Sequence, residues 1–269
     1  VNVKGRVAVI TGAGSGIGRG IALALARRGC DLALADINQA GLDETETLAA
    51  PHGVRVSRHR IDVANREAVA GLPSAVLGAH ARVDILFNNA GVALGGDFDQ
   101  VSEADFDWLM EINFHGVVRM TRAFLPALRA SDEARIVNVS SIYGIISPPG
   151  QTAYSASKFA VRGFSNALRH ELEGANVGVS VVHPGGVATA IARSARTPAG
   201  APEAELRRRL ELAEKALRMP SEKAGDIIAR GVEKRRARII VGPDAAILSL
   251  IERMFPVHYW RLLSLVFPK

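Results

Sequence analysis

The chain has 269 residues, 48% of them hydrophobic and 22% charged, and carries a net charge of +6 at neutral pH. That is the balance of a globular protein, with length for one large domain rather than two and for a sizeable core. A single cysteine, Cys30, excludes an intrachain disulfide, and no uninterrupted apolar run reaches the ~20 residues of a transmembrane helix.

Residues 1–5, "VNVKG", leave no room for a signal peptide before the first apolar run. With the lone cysteine this suits a reducing, cytoplasmic setting. Strand-like runs fall at 7–11, 31–36, 54–63, 83–90, 134–140, 178–184 and 237–242, and helical stretches at 17–29, 40–50, 65–79, 103–130, 153–174 and 221–235. The runs are nearly continuous in apolar residues, which predicts strands buried on both faces. Their alternation with helices predicts an α/β fold: a doubly wound, mostly parallel seven-stranded sheet with helices on both faces. One domain spans 1–269. Residues 193–220 break the rhythm with Pro, Ala and Gly followed by a charged helix, and 190–220 is expected to form a substrate lid. Basic clusters at 207–209 and 234–238 read as solvated faces or as an anionic-lipid surface. Without aromatic interleaving they do not point to nucleic acid.

Three local patterns carry chemistry. "VAVITGAGSGIGRG" reads strand, glycine turn, helix, the arrangement that sets backbone N–H groups and a helix N-terminus against a pyrophosphate. The spacing is Thr11-Gly12-x-x-x-Gly16-x-Gly18, with Ser15 and Ile17 in the same turn. Asp36 closes the second strand, where a carboxylate accepts hydrogen bonds from ribose hydroxyls and repels a 2′-phosphate. Ser15 and Ile37 stand where an NADP binder offers a cation, so the expected cofactor is NAD. Finally, Tyr154 opens a helical pattern with Lys158 at i+4, on the same face. An adjacent ammonium is expected to lower the phenol pKa towards the range of acid–base catalysis. Tyr143 has no basic partner at i+3 or i+4. The seven histidines show no ligand-like pairing, and no metal is expected.

Taken together, Thr11-Gly12-x-x-x-Gly16-x-Gly18, "NNAG" at 88–91, Asn113, Ser141, Tyr154-x-x-x-Lys158 and "PGGVAT" at 184–189 resemble the short-chain dehydrogenase/reductase family over roughly residues 5–190. The resemblance implies a Rossmann-type fold and a set of roles. Tyr154 would be the general acid for ketone reduction or the base for alcohol oxidation. Lys158 would tune it and hold the nicotinamide ribose. Ser141, chosen over Ser140 by its distance from the tyrosine, would bind the substrate oxygen, and Tyr143 would line the substrate pocket with Ile145 and the 187–220 segment. Asn113 would position a water in a proton relay and border the cofactor. Asp62 and Val63 would contact adenine. Asn88, Asn89, Ala90 and Gly91 would line the cofactor cleft, and Pro184, Gly185, Val187 and Thr189 would face the nicotinamide amide. The implied activity is NAD-dependent interconversion of a secondary alcohol and a ketone on an apolar substrate, such as a steroid, retinoid or fatty alcohol. The alternatives are a ketoacyl-type carbonyl reductase or a cofactor-binding regulator without turnover. A homo-oligomer, dimer or tetramer, is expected.

The tail, 245–269, splits at Pro256 into two short helical patterns, each with a polar stripe against a broad apolar face. Two readings stand: packing on the protein's own core or a partner subunit, and peripheral contact with a membrane through Tyr259, Trp260 and Arg261.

Overall fold

The computed structural model describes residues 2–198 and 203–265. In chain order the elements are β1 (Val7–Thr11), α1 (Gly16–Ala26), β2 (Asp31–Asp36), α2 (Gln39–Ala49), β3 (Val56–Arg60), α3 (Arg66–His80), β4 (Ile85–Asn88), α4 (Glu103–Met110), α5 (Gly116–Ala130), β5 (Ala134–Val139), α6 (Thr152–Glu171), β6 (Val177–Pro184), β7 (Val187–Ala188), α7 (Glu203–Ala216), β8 (Met219–Pro220), α8 (Ser221–Glu233), β9 (Arg238–Val241), α9 (Pro243–Met254) and α10 (Tyr259–Leu263). Seven parallel strands form the main sheet in the order β3-β2-β1-β4-β5-β6-β9. The seven expected strand runs are all present. The difference is a two-residue ribbon, β7 with β8, which clips the chain after β6 to the chain before α8.

Strand side chains alternate between two cores. Ala8 and Ile10 of β1 and Leu32 and Leu34 of β2 pack with α1, α2 and α8. Val9, Ala33 and Ala35 point the other way, to α3, α5 and α6. This is the two-faced burial that makes parallel strands read as unbroken apolar runs. Helix starts are set by local chemistry: the side chains of Asn38, Asn65 and Ser102 accept from the N–H of Gly41, Ala68 and Asp105.

The expected helix over 103–130 is a continuous path with one wide π turn, Glu111–His115, between α4 and α5. Such a turn advances the helix by an extra residue and is common at functional sites. Asn113 sits in it. At the strand carboxyl ends the order reverses between β1 and β4, opening the crevice in which α/β sheets bind ligands.

Candidate active site

The glycine turn lies in that crevice, after β1. Gly12 and Gly16 have φ of 66° and 51°, backbone that side-chain-bearing residues rarely adopt. A Cβ on Gly12 would lie 2.8 Å from the Asn89 amide nitrogen, and one on Gly18 would overlap the Gly12 carbonyl oxygen. The cradle is therefore as tight as bare backbone permits, with exposed Ser15 preceding α1. Ile17 is half-buried at the core edge. Thr11 braces the turn: its hydroxyl donates to the Phe87 carbonyl at 3.2 Å and accepts from the N–H of Asn89 and Ala90 at 2.9 and 3.0 Å. The Asn89 amide in turn donates to the Thr11 carbonyl at 2.9 Å.

Asp36 accepts from the Gly14 N–H through Oδ2 and from the Asn38 N–H through Oδ1, each at 2.9 Å. Its carboxylate thus faces the glycine turn, beside Ile37, which is 61% exposed. Two cations near this corner have no signal in the glycine pattern. Arg19 ties the turn to α2 by donating to the Gly14 carbonyl at 2.5 Å and to Glu44 at 2.7 Å. Exposed Arg60 is in register with Asp36 across β2 and β3. Asp62 is exposed and accepts from the Ala64 N–H at 2.8 Å. Val63 is buried against Gly116.

On the other side of the switch point, Ala90 and Gly91 border the crevice. A Cβ on Gly91 would lie 3.1 Å from Asn113 Oδ1 and 3.4 Å from Lys158 Nζ, so the bare backbone approaches both side chains closely. Asn88 is buried, and its amide donates into the interior, to Asn138 at 2.8 Å and Thr121 at 3.0 Å.

Tyr154 and Lys158 share one face of α6, with the ammonium 5.6 Å from the phenol ring centre and donating to the Val139 carbonyl at 3.3 Å. Tyr143 meets Tyr154 edge-on, ring centres 6.1 Å apart. The two serines after β5 separate cleanly. Ser140 is buried and donates to the Lys158 carbonyl at 2.8 Å, locking the strand end to α6. Ser141 is half-exposed beside the tyrosines and accepts from the Tyr143 N–H at 3.1 Å. Asn113 is fully buried. Its Oδ1 accepts from the Val92 N–H at 2.8 Å and its amide donates to the Val92 carbonyl at 3.0 Å and Ser157 at 3.2 Å. Ser157 donates back to the Tyr154 carbonyl at 2.8 Å, so the π turn reaches the tyrosine helix through two side chains.

The electrostatics correct one expectation. Burial pushes the Tyr154 phenol up to about 12, against the pull of the Ser141 hydroxyl, and pushes the Lys158 ammonium down to about 8. In the protein alone, desolvation sets the direction of both shifts. The phenol holds its proton at neutral pH.

The loop after β6 completes the crevice. Pro184 ends the strand, Val187 is buried, and Thr189 lies over the glycine turn, its methyl 3.1 Å from where a Gly16 Cβ would sit. Asp244, at the start of α9, accepts from the Gly186 N–H at 2.7 Å, and a Cβ on Gly185 would overlap its carboxylate. His183 is fully buried, its Nδ1 2.9 Å from the Ser141 carbonyl oxygen, and burial pushes its pKa down to about 4. Neither residue has a sequence signal, since each partner lies some forty or more positions away. Ile145 does not line the cleft: it is buried with Ile142 and Ile146 against the C-terminal segment. Val92 and Leu94 instead form the apolar cluster that includes Tyr154.

Part of the expected lid falls on residues 199–202, outside the described residues. The rest is pinned at both ends. Arg196 pairs by backbone with Ala93 and Gly95, stacks 3.5 Å over the Trp108 ring and binds Asp105 at 3.0 Å. Met219 N–H donates to the Gly186 carbonyl at 3.0 Å. Among the histidines, His59 and His80 do meet, each 2.8 Å from the Ser57 hydroxyl. Among the described residues no group of three or more His, Cys, Asp or Glu could hold a metal ion.

A glycine cradle at the switch point of a parallel sheet, facing a half-buried tyrosine and a buried lysine, defines a nucleotide-binding oxidoreductase. The family model described as short chain dehydrogenase matches residues 6–200, and the chain belongs to the short-chain dehydrogenase/reductase family. It is 43% identical over 264 residues to the Mycobacterium tuberculosis protein described as "Putative oxidoreductase SadH", covering 97% of this chain and 95% of that one. Among solved structures it resembles a short-chain dehydrogenase/reductase from Burkholderia phymatum in complex with NAD, at TM-score 0.87 and 34% identity over 94% of this chain and 95% of that one. It also resembles a metagenomic short-chain oxidoreductase in complex with NADP, at TM-score 0.65 and 35% identity over 70% of this chain and 85% of that one.

Proposed function

We propose that the protein is an NAD-dependent dehydrogenase/reductase that interconverts a secondary alcohol and a ketone on an apolar substrate. The observation that carries this is the convergence of Tyr154, Lys158 and Ser141 at the carboxyl edge of the sheet, directly across Gly91 from the glycine cradle. The residues fit a dinucleotide. Gly12, Gly16 and Gly18 leave room for a pyrophosphate against the N-terminus of α1, and Asp36 suits ribose hydroxyls. When bound, the nicotinamide would supply or accept the hydride.

The remaining chemistry belongs to the chain. In reduction the Tyr154 phenol gives its proton to the carbonyl oxygen, and in oxidation the phenolate takes the proton of the alcohol. The Ser141 hydroxyl donates to the same oxygen and fixes its position. The Lys158 ammonium stabilises the phenolate that forms, and dinucleotide binding beside it would strengthen that role by adding hydrogen-bond acceptors. Val92 and Tyr143, backed by buried Leu94, give the substrate wall its apolar character, and the nearby charges of Arg196 and Asp105 neutralise each other. Residues 190–198 and α7 form the lid over this wall.

Tyr154→Phe tests the assignment. Turnover of secondary alcohols with NAD should fall by about 10²–10⁴-fold, the range of general acid–base catalysis, while NAD affinity stays near wild type. A variant retaining turnover within about tenfold of wild type would remove Tyr154 from the proton path.

A further inference from the structure

The C-terminal segment has two faces, and among the described residues only one is covered. Inward, Ala245, Leu248, Ile251, Tyr259, Trp260 and Leu263 pack on Ile142, Tyr143, Ile145 and Ile146, and the Tyr259 hydroxyl accepts from the Ser147 N–H at 2.9 Å. Outward, Ile247, Leu250 and Met254 recur along one stripe of α9 at 59, 58 and 62% exposure. Phe255 at the end of α9, and Val257 and Leu265 beyond Pro256, are also exposed, at 44, 80 and 83%. Large apolar side chains so clustered mark a surface that meets something other than water.

The charges around the stripe choose the partner. Arg253 and Arg261 are exposed, and neither has an ion pair among the described residues. Arg238, which donates to Ser249 of α9 at 2.9 Å, lies close enough to Arg162 and Arg253 to be repelled by each. The two carboxylates of the segment do not offset them on the open face: Asp244 is turned to Gly186, and Glu252 is half-buried near Arg238. A second copy docked on this face would bring the same cations against themselves. An anionic lipid surface takes both the apolar stripe and its basic rim. No helix among the described residues is long and apolar enough to cross a membrane, so the segment would lie on the bilayer. We infer that the stripe Ile247, Leu250 and Met254, with exposed Phe255, Val257 and Leu265 and a rim of Arg253 and Arg261, docks the protein on an anionic lipid bilayer. This inference does not depend on the catalytic assignment.

The experiment is co-sedimentation of the full chain with vesicles of phosphatidylcholine and phosphatidylglycerol in equal parts, beside vesicles of phosphatidylcholine alone. The wild type should sediment with the mixed vesicles and be released by high salt. The triple variant Ile247→Ser, Leu250→Ser, Met254→Ser should bind more weakly by about tenfold or more, given the apolar area it removes from the contact. Arg253→Glu with Arg261→Glu should abolish the preference for anionic vesicles. Leu48→Ser with Leu77→Ser, exposed apolar positions on α2 and α3, should bind as wild type does. Thermal unfolding checks each fold, and Val257→Ser, in the turn between helices, replaces the triple variant should that unfold early. Failure of the wild type to sediment overturns the inference, as does binding unchanged in the triple variant. So does a wild-type oligomer that the triple variant splits, measured by light scattering, without vesicle binding: the occupant would then be a second copy.

Discussion

Asp36 holds its two oxygens against backbone N–H groups on either side, so its charge cannot swing away from an incoming adenosine ribose. A 2′-phosphate about 4 Å from it would meet a repulsion on the order of 4 kcal/mol at an effective dielectric near 20. The nearby Arg60 works in the opposite sense. With a fixed carboxylate against a flexible exposed guanidinium, kcat/KM should be higher with NAD than with NADP. Asp36→Ala with Ile37→Arg should move the preference towards NADP by about tenfold or more. A wild type that favours NADP would mean that Arg60 governs this corner. Residues of this kind are legible in sequence because their partners are close along the chain: Asp36 ends a strand, and Lys158 follows Tyr154 by one helical turn. Asp244 and His183 are not legible, because the fold alone brings them to Gly186 and Ser141. The state of the Tyr154 phenol is hidden for another reason. Spacing reports that an ammonium is near, but it does not report how deeply both groups are buried.

At the scale of elements, the cradle depends on how α1 is held from behind. Gly20 of α1 and Gly225 of α8 face each other so closely that a Cβ on either would overlap backbone of the other helix. Gly225→Val should therefore destabilise the protein by about 3 kcal/mol, read as a lower urea midpoint, and should weaken NAD binding by tilting α1. An unchanged midpoint would mean that the two helices slide apart without loss. Strands and helices here follow from apolar periodicity, and the break at Pro256 divides the tail as its sequence implies. The π turn at 111–115 does not follow, because an i→i+5 bond needs no particular residue type. The glycine pair is likewise silent: a glycine inside a helix reads only as a weak position until the helix opposite is known.

The whole molecule is tied together at the edge of the sheet far from the crevice. Asp84 has no exposed side-chain surface and accepts from the Val7 N–H at 2.9 Å, Arg6 at 3.2 Å and Ser131 at 2.6 Å, with Arg82 donating to both its oxygens. It joins the start of β1, the approach to β4 and the turn before β5. Burial would raise its carboxyl pKa, but the hydrogen bonds from Arg82, Ser131, Val7 and Arg6 hold it below the usual range. A carboxylate with a depressed folded pKa contributes stability above its unfolded value, ~3.9, and loses it as pH falls through the folded value. Asp84→Asn should cost about 2–4 kcal/mol near neutral pH and leave a flatter acid limb than wild type, measured by urea unfolding from about pH 7 down to about pH 3. Equal acid sensitivity in both proteins would move the pH dependence to another carboxylate.

The C-terminal segment shapes the candidate site without entering it. It backs residues 142–146 through an apolar contact and steadies the loop after β6 through Asp244. Divergence among related proteins can therefore proceed at the tail, altering which molecules fit beside Tyr143 while Tyr154 and Lys158 stay fixed. A chimera that exchanges residues 243–265 between two such proteins would exchange substrate range as well.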